Sequence, residues 1–376
     1  MPKNVVICCD GTNSSFQRDL TNVARMSCIA SRVPGAQHVY YDVGVGVEEP
    51  GFVTKLGATL YRWAGLAFGA GLVKNVVQAY REIVSNYEPG DRLFLFGFSR
   101  GAYTVRVLAG VLENYGLLKR ENQSEVEDVI RKFSALFPKK GSADAEDPAR
   151  REAYCNRTFA EARQIRESRS VECLVHFMGI WDTVSSLGWA YDPKTFPNTA
   201  AMRHVRVIRH ALALDERRAK FRSNRIEPVP GAQQDIQEVW FGGDHSDVGG
   251  GYPDDQSGLA KKCLEWMLRE ACQHDLRKDP AKEKELLEGP KSRPDAMGPQ
   301  HESLEKFWWV LEYIRLPYRR QVDSVWKEEM IRYCGKGWRR IRDGDLVHRS
   351  VQERAKQHLV KNSHWSAAEA KVQWVD

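Results

Sequence analysis

A strand, a tight turn and a helix are written into residues 91–108. The apolar run Arg92-Leu93-Phe94-Leu95-Phe96 enters Gly97-Phe98-Ser99-Arg100-Gly101, and Ala102-Tyr103-Thr104-Val105-Arg106-Val107-Leu108 follows as a helix. In that setting a serine two positions from a glycine on either side reads as a nucleophile elbow. Such a turn strains the serine backbone so that its hydroxyl projects away from the sheet, and the glycines let strand and helix approach without a Cβ clash. The N–H of Arg100 then opens a helix, where unpaired donors and the macrodipole favour a developing oxyanion. We read Ser99 as a nucleophile and Arg100 as an oxyanion-hole donor.

Composition sets wide bounds around this unit. A chain of 376 residues with 42% hydrophobic content has room for one large α/β domain or two smaller ones. The net charge of +6 is small against 56 basic and 50 acidic residues, which allows a preference for anionic surfaces and implies no nucleic-acid binding. The eight cysteines include no C-x-x-C pair and no zinc-like spacing, so reduced thiols are expected and neither a metal nor a cofactor is called for. Met1-Pro2-Lys3-Asn4 runs straight into the strand-like Val5-Val6-Ile7-Cys8-Cys9, leaving no room for a secretory leader and predicting synthesis and folding in the cytoplasm. From Leu56 to Val73 only Thr59, Tyr61 and Arg62 are neither apolar nor glycine. The four glycines and Arg62 favour a closely packed helix or loop over a bilayer span, with an interfacial role left open.

Strands and helices alternate through the first two-thirds of the chain. Strands are predicted at Val5–Cys9, His38–Tyr41, Arg92–Phe96, Val171–Ile180 and Asp235–Phe241, with helices over Thr21–Val33, within Leu72–Tyr87 and from Arg100 toward Leu117. This predicts an α/β fold, a mostly parallel sheet with helices on both faces, over residues 1–255. Residues 121–169 read as a helical insertion with a flexible turn, the kind of element that covers an active site. Residues 256–376 read as a helical C-terminal region packed on the core.

A serine nucleophile needs a base, and the base needs an orienting acid. In sheets of this kind both sit on loops after later strands, in the order Ser, Asp or Glu, His. The Val171 strand ends in Trp181-Asp182-Thr183, and the Asp235 strand in Gly243-Asp244-His245-Ser246-Asp247. Placed there, His245 takes the Ser99 proton while Asp182 fixes the imidazole tautomer. Singly, Asp182 also fits a turn cap and His245 a packing histidine. Asp247 is a candidate to orient or buffer His245. Asp215 and His210 read as parts of a charged helical face, and His348 as a rival base in a C-terminal helix.

Five ordered motifs carry a resemblance: Cys9-Asp10-Gly11-Thr12-Asn13, Tyr41-Asp42-Val43-Gly44-Val45-Gly46, the Gly97–Tyr103 elbow, Trp181-Asp182-Thr183-Val184 and His245-Ser246-Asp247-Val248-Gly249-Gly250-Gly251-Tyr252. Together they resemble the DUF2235 family of α/β-hydrolases, which includes phospholipase effectors of type VI secretion. His348-Arg349-Ser350-Val351-Gln352-Glu353-Arg354 resembles a further family element. The resemblance implies a serine esterase or lipase, with Ser99, Asp182 and His245 as triad and phospholipid as the best-known substrate class. It directs attention to Asp10 as a supporting residue and to Gly11 or Thr12 as a second oxyanion donor. It leaves room for peripheral membrane contact, delivery to a target cell without a signal peptide and a secretion or immunity partner, with a stand-alone cytosolic hydrolase as the equal alternative to a toxin. A hydrolase of a small soluble ester and a noncatalytic binding module of the same fold are the alternatives. The aromatic stretch Phe307–Tyr313 with Arg315, Arg319 and Arg320 fits a packed core or a lipid interface.

Overall fold

In a computed structural model the described residues are 2–11, 19–44, 68–139, 141–184, 196–197, 199–218, 221–289, 293–304, 307–313, 316–322, 325–332, 334–335, 337–368 and 371–376. Most of the Leu56–Val73 segment, Thr12 and Arg315 lie outside them.

Apolar runs form the strands nearest the elbow because helices cover both faces of the sheet there. Strand β1 (Asn4–Cys9) is buried at all six positions. Its Val5, Ile7 and Cys9 pack on one face, and Val6 and Cys8 on the other. Helix α1 (Asn22–Ile29) follows, capped by Thr21 accepting the Ala24 N–H, and leads to β2 (Gln37–Asp42). Helix α2 (Phe68–Asn86) precedes β3 (Arg92–Phe98), and helix α3 (Arg100–Tyr115) starts directly after the elbow. The insertion forms helices at Val126–Ser134, Ala143–Glu146 and α4 (Pro148–Arg169), and contributes Val129, Ile130, Phe133, Ala162 and Ile165 to the core on the α2 and α3 face.

The sheet then grows in one direction through β4 (Val175–Trp181), β5 (Val205–Ala213) and β6 (Asp235–Phe241). A short helix α5 (His245–Gly249) and the long α6 (Gly258–Gln273) follow β6, and α6 packs with α1 on the face opposite α3. Two short strands, β7 (Leu346–His348) and β8 (Gln373–Val375), complete an eight-stranded sheet of order β8-β7-β6-β5-β4-β3-β1-β2, in which every pairing is parallel. Strand order reverses at β1, which lies between β3 and β2, while α1 and α3 leave toward opposite faces. The crevice beyond the carboxyl ends of β1 and β3 is thus the place where this fold opens for a ligand. Asp10 and Ser99 stand there.

Two regions differ from the sequence expectation. Val205–Ala213, around His210, is a central strand and not part of a charged helix. Its Arg209 pairs with Glu270 and Asp235, and its His210 Nδ1 lies 2.9 Å from Glu238, so charges that look solvated in the sequence are neutralised across neighbouring elements. Beyond residue 256 the chain is not purely helical. Leu316–Val322 and Val325–Ile331 form an antiparallel hairpin, and β7 and β8 extend the main sheet. Val347, Val351 and Trp365 form a third core cluster with Leu212, Leu214 and Trp240. Burying Val347 and Val351 stabilises this edge by about 1.5–3 kcal/mol each.

Candidate active site

The elbow geometry follows from two glycines. A Cβ on Gly97 would stand 2.6 Å from the Gly101 carbonyl oxygen, and one on Gly101 only 2.0 Å from that of Cys9. The start of α3 therefore lies directly on the ends of β3 and β1. Between them Ser99 takes φ 57° and ψ −116°, a conformation rare for a residue with a side chain. Its N–H donates to the Trp181 carbonyl at 3.0 Å, which ties the turn to the end of β4.

Asp182, immediately after β4, also has a positive φ, 38°. The structure brings Ser99, His245 and Asp182 into one hydrogen-bonded chain, with His245 Nε2 2.8 Å from Ser99 Oγ and Nδ1 2.6 Å from Asp182 Oδ2. Ser99 is 9% exposed and His245 6%, whereas Asp182 is fully buried. Exposure thus falls along the chain from the serine to the carboxylate. The imidazole is gripped by rings on two sides, Phe98 at 4.6 Å and Phe221 edge-on at 4.9 Å. Its loop is fixed by a reciprocal cap in which Asp244 accepts the Asp247 N–H and Asp247 accepts the Asp244 N–H.

Burial and charge set the protonation states. Burial pushes the His245 pKa down, against the opposing pull of the Asp182 carboxylate, which favours the neutral, proton-accepting ring at neutral pH. Burial alone would raise Asp182, but the Arg339 guanidinium and the His245 hydrogen bond outweigh it and hold the carboxyl well below the usual range. Arg339 gives a fork to both Asp182 oxygens, with Nη2 2.9 Å from Oδ2. The Ala213 N–H donates to Oδ1 at 3.0 Å, so each carboxylate oxygen has two donors. No sequence pattern marks Arg339: it stands 157 positions from Asp182 in Trp338-Arg339-Arg340-Ile341-Arg342, which looks like any solvated basic stretch. Phe221 is equally unmarked, since one aromatic in a polar loop carries no pattern.

The other candidates take different places. Asp247 does not reach the His245 ring; it accepts the His301 N–H at 3.0 Å and lies 2.7 Å from His301 Nδ1. Asp10 is buried and accepts the hydroxyls of Thr21 and Tyr41. Gly11 lies beside Ser99, since a Cβ on it would be 3.7 Å from Ser99 Cβ, and its N–H donates to Asp10 Oδ1 at 2.7 Å. Thr12 lies outside the described residues. The Arg100 N–H opens α3 next to Ser99. His348, the rival base, ends β7, stacks on Phe241 at 4.6 Å and bonds Ser350 through Nδ1, so it is engaged in capping the helix Arg349–Lys356. Asp215 is a buried acceptor for the N–H groups of Gly243, Lys361 and Asn362. In the aromatic stretch, Trp308 meets Phe221 edge-on at 5.2 Å, while Trp309 and Tyr313 are exposed. Among the described residues no helix is long and apolar enough to cross a membrane, and no cluster of metal-binding side chains occurs.

A parallel sheet flanked by helices, with a strained serine after β3 and an acid and a histidine after later strands, defines an α/β-hydrolase-like fold. The chain belongs to the type VI secretion family of Tle1-like phospholipase effector catalytic domains, which matches residues 3–270. It is 31% identical over 237 residues to the uncharacterized protein YEL023C of Saccharomyces cerevisiae, covering 61% of this chain and 33% of that one. An uncharacterized protein from Pseudomonas aeruginosa of known crystal structure is 18% identical with a TM-score of 0.39, over 76% of this chain and 48% of that one. The Tle1 effector bound to the VgrG spike of the type VI secretion system is 17% identical with a TM-score of 0.35, over 69% of this chain and 52% of that one. The chain thus spans about a third of the yeast relative and about half of each of these structures.

Proposed function

We propose that the protein is a serine hydrolase that cleaves phospholipid esters through an acyl-enzyme. The observation that carries this is the hydrogen-bonded chain Ser99, His245, Asp182 at the strand ends. Ser99 Oγ attacks the ester carbonyl as His245 Nε2 takes its proton, and the imidazolium then protonates the departing alcohol. Water repeats the sequence on the acyl-serine. The Arg100 N–H at the start of α3 is the donor we assign to the tetrahedral oxyanion, because positive helix-end potential and a fixed backbone dipole act there without reorganisation. Asp182 keeps the Nδ1–H tautomer and balances the imidazolium.

Family membership supports phospholipid as the substrate class and delivery to a target cell as the setting. The test is mass spectrometry of products after wild type and Ser99→Ala meet mixed phospholipid vesicles. Lysophospholipid and free fatty acid from wild type alone is the expected result, with a loss of at least about 10³-fold in the variant. Intact lipid with both proteins would remove phospholipid as substrate, and equal turnover by the variant would remove Ser99 as nucleophile.

A further inference from the structure

The match to the family's catalytic domain covers residues 3–270, yet the acid of the proposed triad is held from residue 339. We propose that Arg339 is a positioning residue for the hydrolysis: it locks the Asp182 carboxylate in the orientation that receives His245 and balances its negative charge. This rests on the triad reading given above.

The geometry is that of a built clamp. Arg339 is 5% exposed, and its guanidinium spends every N–H on a named acceptor. Nη1 reaches Asp182 Oδ1 and the Ala213 carbonyl, Nη2 reaches Asp182 Oδ2 and the Phe221 carbonyl, and Nε reaches the Phe221 carbonyl at 3.2 Å. The same fork therefore sets the acid after β4, the end of β5 and the residue whose ring meets His245 edge-on. Arg339 is itself fastened, because the Asn362 side-chain amide donates to the Arg339 carbonyl at 3.0 Å and to the Leu214 carbonyl at 2.7 Å. A planar fork fits a carboxylate in one orientation, which a single ammonium does not impose.

The charges around His245 make the second half of the argument. Asp182 and Glu216 act on His245 as anions and Arg218 as a cation, Arg339 is paired with the far side of Asp182, and Asp244 and Asp247 stand on the same loop as the histidine. Arg218 is paired with Glu216 at 2.7 Å, which leaves Arg339 as the counter-charge to Asp182. Without Arg339 the carboxylate acts on the imidazole uncompensated and favours the imidazolium, so deprotonation moves to higher pH.

The test is the pH dependence of fluorophosphonate labelling of Ser99 in the full chain, compared for wild type, Ser99→Ala, Arg339→Met and Arg339→Lys, with folding followed by circular dichroism. Labelling of wild type but not of Ser99→Ala establishes the activated serine. Arg339→Met is then expected to raise the acid-side midpoint by about one pH unit and to lower the plateau rate by about 10²-fold. Arg339→Lys retains the charge without the fork, and is expected to keep the wild-type midpoint while losing plateau rate. A wild-type midpoint and plateau in folded Arg339→Met overturn the proposal and leave the triad standing; if that variant does not fold, a wild-type plateau in Arg339→Lys overturns it. An unlabelled, folded wild type defeats the triad reading itself.

Discussion

Ser99 and Asp182 both carry a positive φ, and each is held there by contacts from other strands. The Ser99 N–H is bound by the Trp181 carbonyl, and the Asp182 N–H by that of Ala211 at 2.8 Å. Strain at these two residues is thus maintained by the sheet. Neutralising the acid tests this locally. Asp182→Asn removes the counter-charge of a buried guanidinium, and loss of one partner of such a pair destabilises by about 3–5 kcal/mol. Urea unfolding of the variant is expected to show that loss, and ester turnover is expected to fall about 10⁴-fold because the wrong tautomer of His245 is favoured. For wild type the sign of the pH dependence follows from burial: the His245 pKa is pushed down from the usual imidazole value, so kcat/KM should fall with a midpoint on the acid side of 6.5 and level off toward neutral pH. A midpoint above 6.5 in an initial-rate profile would contradict the neutral base.

At the scale of elements, the close approach of α3 to β1 and β3 decides where the serine stands. Gly101→Ala places a methyl group against the Cys9 carbonyl, which belongs to a central strand that cannot move alone. The expected cost is about 3 kcal/mol, read as a lower melting temperature, with activity falling further because Ser99 is displaced. An unchanged melting temperature would show that α3 has slack. The elements that support this turn were legible in the sequence: Val5–Cys9 and Arg92–Phe96 are continuous apolar runs because helices cover both of their faces. Val205–Ala213 was not, because Arg209 and His210 interrupt its pattern and are neutralised only by Glu270, Asp235 and Glu238 from other elements. Strands β7 and β8 have three residues each, too few for any period to show.

For the whole molecule, the region after residue 273 is part of the same folded unit as the site. It adds two strands to the sheet, buries Val347, Val351 and Trp365 against Trp240, and delivers Arg339 to Asp182. A chain cut after Gln273 is therefore expected to expose the β6 edge and lose the acid's counter-charge. Limited proteolysis should find it cleaved far faster than the full chain, and it should not hydrolyse esters. A resistant, active fragment would show that the first 273 residues suffice.

The sequence by itself determined the elbow, the alternation of strands and helices that makes a parallel sheet, and the order Ser99, Asp182, His245. Each of these is a local pattern, since a turn needs particular residues at adjacent positions and a strand buried on both faces must be apolar throughout. Only the tertiary structure decided that His245 and Asp182 meet Ser99, that the Gly11 N–H donates to Asp10, and that Arg339 clamps the acid. Those outcomes depend on which distant loops the sheet brings to one edge, and a charged side chain looks the same in sequence whether water or a buried carboxylate is its partner.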